Sequence, residues 1–114
     1  AYRGVVESGC DVVVIATPPH FRPAHFEAAV ERGQHVFLEK PVAVDAPGVR
    51  RVLAAAERAA EKGLAVVSGL QRHHQFGYLE AMRRIHDGAL GRILFARCSW
   101  NQGSLWHKPR QAGW

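Results

Sequence analysis

Three short apolar runs, each ending in a turn and followed by residues at helical spacing, organise the chain. Val12-Val13-Val14-Ile15-Ala16 is apolar without alternation and stops at Thr17-Pro18-Pro19, the pattern of a parallel strand covered on both faces. Phe26, Ala29 and Val30 then recur at helical spacing behind Pro23, with Gly33 as a stop, which predicts a helix over about 21–32. His35-Val36-Phe37-Leu38 is the next strand and ends at Glu39-Lys40-Pro41. Asp45 is placed to cap the following helix, with Pro47 in its first turn, Val49, Val52, Leu53 and Ala56 as its buried stripe and Gly63 as its end. Leu64 to Ser68 reads as the third strand. After Gly69-Leu70-Gln71-Arg72, the residues Phe76, Leu79, Met82 and Ile85 mark another helix that runs to Gly88 and Gly91.

From Arg92 to Trp100 the pattern changes. Leu94, Ala96, Cys98 and Trp100 share one face, while Ile93 and Phe95 mix with Arg97 and Ser99 on the other, the partial alternation of a sheet covered on one side. This places residues 1–90 in one α/β domain and residues 91–114 at the beginning of a second. The tail "NQGSLWHKPRQAGW" has no periodicity and reads as a loop, and the chain has no internal repeat or low-complexity segment.

Strand, helix, strand, helix, strand predicts a parallel α/β sheet with right-handed crossovers, and ligands of such sheets bind outside the carboxyl ends of the strands. Three polar segments fall there: Thr17-Pro18-Pro19-His20, Glu39-Lys40-Pro41 and Gln71-Arg72-His73-His74. Two prolines fix a turn, with Thr17 and His20 offering hydrogen bonds, although an ordinary strand-ending turn has the same composition. Lys40 at a strand end can stabilise charge on a reacting oxygen. Alone, a Glu-Lys neighbour pair before a helix reads as an exposed surface pair, which is common and contributes little. Arg72 fits a site or a covered sheet edge, and His25 reads as structural because no metal-ligand partner stands at suitable spacing. In the tail, Trp106, His107 and Lys108 form a polar-aromatic cluster suited to a sugar, or an interdomain loop.

Composition narrows the choice. With 114 residues and 47% hydrophobic positions, the chain can build one small core but not two complete domains. The net charge of +5 would suit nucleic acid, yet the basic residues, Arg22 and Arg51 among them, are scattered with no run of five, so they read as solvated faces and no nucleic-acid partner is expected. No apolar run exceeds five residues, which excludes a membrane-spanning helix within the sequence. Cys10 and Cys98 match no metal spacing and read as thiols of a reducing compartment, the cytoplasm. Because the first residue is Ala1, a preceding segment, export signal included, stays open.

"VVVIATPPHFRPAHFEAAVERGQHVFLEKPVAVD", followed by "GLQRHHQFGYLEAMRRIHDGALGRI", resembles the second half of the nucleotide-binding domain in the Gfo/Idh/MocA family of NAD(P)-dependent oxidoreductases. The order of the "ATPPH" strand end, "EKP", "QR" and the "GALGRI" junction carries the resemblance. It implies a Rossmann domain followed by an α/β domain with an open, mainly antiparallel sheet, through which a homo-oligomer would assemble. It further implies NAD or NADP as cofactor, a sugar, cyclitol or related polyhydroxylated substrate, and Lys40 as the active-site lysine. Thr17, Pro18, Pro19, His20, Glu39, Lys40, Pro41, Gln71 and Arg72 are then cofactor-side residues. No Gly-x-Gly-x-x-Gly follows a strand, so the pyrophosphate turn is missing, and so is the downstream segment in which relatives carry an aspartate and a histidine. The expected protein is thus the middle of a dehydrogenase. Alternatives are a nucleotide-binding regulator without turnover and a nicotinamide-dependent glycosidase of the same family.

Overall fold

The computed structural model describes residues 1–103, 109–111 and 113. The elements are helix α1 (Tyr2–Val6), strand β1 (Val12–Ile15), helix α2 (Arg22–Glu31), strand β2 (His35–Leu38), helix α3 (Ala46–Glu61), strand β3 (Val66–Ser68), a 3-10 turn (Gln71–His74) and helix α4 (Phe76–His86). They fall into two compact units, Ala1–Leu79 and Glu80–Trp114. In the first, the strands form a parallel sheet in the order β1-β2-β3, with Ile15 opposite Leu38 and Leu38 opposite Ser68.

The strand, helix and turn positions follow the local chemistry. Asp45 caps α3, its Oδ1 accepting the Gly48 N–H at 2.7 Å, and Pro23 and Pro47 stand in first turns where a missing N–H costs nothing. Gly33 and Gly63 end α2 and α3 with φ of 76° and 68°, a backbone region that side chains disfavour. Lys62 donates from Nζ to the Val30 carbonyl at 2.8 Å, so the end of α3 places a cation on the last carbonyls of α2. α1 was not legible in the sequence, since five residues with Val6 alone buried carry no helical period.

Three expectations are corrected. Among the described residues the strands are covered on one face, not both: Val13, Ile15, Val36 and Leu38 are buried, whereas Val12, Val14 and Val67 are exposed. Crossovers of one hand that step in one direction put their helices on the same side, and α2 and α3 indeed pack on one another over that face. The buried stripe of α3 is Val52, Ala55 and Ala59, with Val49 and Leu53 exposed, because the seam with α2 admits alanines, not the larger side chains that the hydrophobic pattern favoured. Across it lie Phe26, Ala29 and Val30, all fully buried. Finally, residues 92–100 form no strand. A strand exists through a hydrogen-bonded partner, none of the described residues supplies one there, and Leu94, Phe95 and Trp100 stand exposed. The antiparallel sheet expected of a second domain is not among the described residues.

Candidate functional site

Register brings the three predicted loops to one edge. The Glu39 N–H donates to the Ile15 carbonyl at 3.0 Å and the Gly69 N–H to the Leu38 carbonyl at 2.9 Å, so the exits of β2 and β3 are each hydrogen-bonded to the last residue of the preceding strand. The loops therefore leave the sheet at one level, at its carboxyl end.

After β1, the chain turns tightly into α2. The Pro18 and Pro19 carbonyls accept from the N–H groups of Phe21 and Arg22 at 3.0 and 3.3 Å. Thr17 Oγ1 lies 2.9 Å from His25 Nδ1, and the imidazole sits between the rings of Tyr2 and Phe21, with centroids 4.3 and 6.2 Å away. Burial in this aromatic surround holds the His25 pKa below its ordinary value. The structural reading of His25 thus gains a partner, and whichever of the two groups donates, the Thr17 hydroxyl keeps at least one lone pair for a ligand. His20 is exposed, edge-on to the Phe21 ring at 5.2 Å.

After β2, the Lys40-Pro41 peptide is cis. The Glu39 carboxylate turns back onto the chain, Oε2 accepting the Lys40 N–H at 2.9 Å. Its place depends on the β3 loop, because a Cβ at Gly69 would stand 2.7 Å from Glu39 Oε1. The Lys40 side chain is exposed, and among the described residues no carboxylate pairs with its ammonium. Glu39 and Lys40 are therefore not a surface ion pair: the acid shapes the backbone, and the ammonium projects from it.

Beneath both loops lies a residue that sequence reasoning set among the solvated bases. Arg22 is 6% exposed and donates from Nε to the Thr17 carbonyl at 2.6 Å and from one terminal nitrogen to the carbonyls of Glu39 at 2.8 Å and Pro41 at 2.6 Å. One signal could have revealed it. A cation in the first turn of a helix opposes the macrodipole by about 0.3–1 kcal/mol, so an arginine beside the helix-starting Pro23 calls for another use.

After β3, Gln71 is exposed at the start of the 3-10 turn, and Arg72 donates to the Tyr78 hydroxyl at 2.8 Å while lying 5.1 Å from the centre of that ring. His73 and His74 are exposed in the same turn. Trp106, His107 and Lys108 lie outside the described residues. A cleft of about 620 Å³ against α1 and β1, lined by Tyr2, Val5, Val14 and Phe21, shares Thr17 with this edge but none of Glu39, Lys40, Gln71 or Arg72. Its walls are apolar, and the polar chemistry lies with the loops. Among the described residues no three His, Cys, Asp or Glu side chains group as metal ligands, and no helix is long and apolar enough to cross a membrane.

One strand-end edge thus carries a hydroxyl, an imidazole, a carboxylate and an ammonium that no carboxylate among the described residues pairs, and Gly69 keeps open the space that the carboxylate occupies. The phosphate-cradling turn is not in this sequence.

Comparison with known proteins agrees with this fold. The chain is 40% identical over 97 residues to inositol 2-dehydrogenase 4 of Saccharopolyspora erythraea, covering 85% of this chain and 28% of that protein. It is 34% identical over 117 residues to a 1-carboxy-3-chloro-3,4-dihydroxycyclohexa-1,5-diene dehydrogenase of Comamonas testosteroni, covering 98% of this chain and again 28% of the relative. The chain thus spans little more than a quarter of the length of these relatives. Among solved structures, scyllo-inositol dehydrogenase from Lactobacillus casei with bound cofactor NAD(H) and scyllo-inositol superposes with a TM-score of 0.69 at 26% identity, over 80% of this chain and 26% of that one. Residues 3–68 match the Gfo/Idh/MocA family, described as an oxidoreductase family with an NAD-binding Rossmann fold, and the chain belongs to that family.

Proposed function

We propose that the complete protein containing this chain is an NAD(H)-dependent oxidoreductase of a cyclitol or related polyol, and that these residues form the nicotinamide side of its active site. The observation that carries the reading is the Lys40 ammonium, unpaired among the described residues, on an edge where the β1, β2 and β3 loops meet at one level. The inositol dehydrogenases among the relatives and a neighbour holding NAD(H) support the substrate class and the cofactor.

When bound, the nicotinamide accepts a hydride from the substrate carbon or returns one. Lys40 donates a hydrogen bond to the oxygen on that carbon and stabilises the charge that grows as its proton leaves. The proton goes to a base outside this chain, in the segment where relatives carry an aspartate and a histidine. Thr17 and His20 face the ribose, Pro18, Pro19 and Pro41 keep the backbone rigid there, and Glu39 sets the turn from which Lys40 projects. Gln71 and Arg72 close the nicotinamide end, and Trp106, His107 and Lys108 belong to the substrate side.

In the same reading, residues 1–90 belong to the dinucleotide domain and residues 91–114 begin the substrate domain, whose sheet would join subunits. The free thiols Cys10 and Cys98 suit the reducing cytoplasm.

The test is calorimetric titration of the complete protein with NAD(H) and NADP(H), followed by turnover assays on myo-inositol, scyllo-inositol and an aryl glycoside. Preference for NAD(H) and reduction of NAD by an inositol are the expected results. Binding without turnover of any of the three would favour the regulatory reading, and turnover of the glycoside alone would favour the glycosidase.

A further inference from the structure

We propose that Arg22 is a positioning residue that holds the backbone on both sides of Lys40 and ties it to the loop after β1, a role that rests on the dinucleotide reading above for its catalytic meaning. Its bonds go to the carbonyls of Glu39 and Pro41, the residues immediately before and after Lys40, and to the carbonyl of Thr17 in the neighbouring loop. With the Lys40 N–H held by the Glu39 carboxylate, the lysine is fixed by its own amide and by the carbonyls flanking it. What remains free is the side chain, the part that would reach a substrate oxygen.

An arginine is an expensive way to fill this space. The guanidinium is almost completely buried, and among the described residues it forms no ion pair, so its charge is satisfied by carbonyl dipoles alone. An apolar side chain would fill the volume without that desolvation. The planar fork offers what an apolar chain lacks, donors pointing in fixed and different directions, so one group can span the Thr17 carbonyl and the two carbonyls around Lys40. A lysine offers a point charge that cannot reproduce this span. The β1 and β2 loops would consequently move as one body, and the distance from Thr17 to the base of Lys40 would not drift between ligand-free and bound states.

The experiment compares wild type, Arg22→Met and Arg22→Lys in the complete ligand-free protein by hydrogen exchange, and then measures NAD(H) affinity and steady-state kinetics. For Arg22→Met, amides of residues 39–44 should exchange at least about tenfold faster, while those of residues 12–15 and 35–38 stay within about twofold of wild type. Arg22→Lys should fall between the two. kcat should decline by about tenfold with a smaller change in KM for the cyclitol, as expected for a misplaced Lys40. Unchanged exchange over 39–44 in both variants would overturn the proposal. So would equal acceleration of loop and strands, the mark of a residue that merely supports the core. If Arg22→Met does not fold, the same comparison on Arg22→Lys decides. A wild type that fails to bind NAD(H) would sink the dinucleotide reading, while the ligand-free exchange result would still decide the clamp.

Discussion

The loops after β1 and β2 and the loop after β3 leave the same sheet edge, but they are held in different ways. Arg22 binds the first two from below through buried bonds to Thr17, Glu39 and Pro41, and α2, which carries it, is locked into the core by Phe26, Ala29 and Val30. The third is held by its own 3-10 turn and by the Arg72–Tyr78 contact, with Gln71, His73 and His74 exposed. The two sides meet at Gly69, where the β3 loop leaves just enough room for the Glu39 carboxylate. A site built this way has one wall held by buried bonds and one that stands exposed. The first bears the proposed catalytic lysine, and the second bears Gln71, His73 and His74.

The largest expected effect probes the scaffold below each wall. Phe26→Ala removes a fully buried ring from the helix that carries Arg22 and should cost about 3–5 kcal/mol, whereas Phe76→Ala, at an 82% exposed position after the third loop, should change stability by less than about 0.5 kcal/mol. Urea unfolding midpoints compare the two directly. Similar losses would erase the distinction between the walls.

Gly69→Ala tests the meeting point. With a Cβ 2.7 Å from Glu39 Oε1, either the carboxylate leaves the Lys40 N–H or the β3 loop shifts, at a cost of about 1–3 kcal/mol. In a Glu39→Ala background the same substitution should be nearly neutral. A double-mutant cycle without coupling would show that the two loops do not share this space.

The smallest effect is one of pH. Burial lowers the pKa of His25 in the folded state, so the unfolded chain binds the proton more readily. Its contribution is fully present above the unfolded value of about 6.5 and is lost as pH falls from there toward the folded pKa. Unfolding midpoints should therefore decline on acidification across that window, and His25→Gln should flatten this part of the slope. A slope unchanged by the substitution would place the acid sensitivity elsewhere.

What the sequence disclosed and what it concealed follow from the range of the forces involved. β1, β2 and α3 were legible because apolar runs, Pro47, the Asp45 cap and the Gly63 stop act over a few residues. The edge itself was legible because parallel topology brings every strand end to one side, so Thr17, Glu39 and Gln71 group from the strand order alone. Arg22 was not, since its bonds span five, seventeen and nineteen residues and local composition shows only another base. Nor was the bare sheet face carrying Val12 and Val14, because an apolar strand declares that it wants cover without saying which residues supply it. The alternation of residues 92–100 has the same limit: a strand pattern describes compatibility with a sheet, and no partner strand for it stands among the described residues.

Lys40 offers the most direct test of the central claim, that this strand-end edge is catalytic. In the complete protein, kcat for oxidation of an inositol should be measured for wild type, Lys40→Ala and Lys40→Arg, alongside NAD(H) affinity on the same folded preparations. Lys40→Ala should lower kcat by about 10²-fold or more and leave cofactor affinity within about tenfold, because the ammonium acts mainly on charge that develops in the transition state. Lys40→Arg should not restore the rate, since a planar guanidinium cannot occupy the same point. A near-normal kcat in Lys40→Ala would contradict the account and make this ammonium an ordinary solvated group at the end of β2.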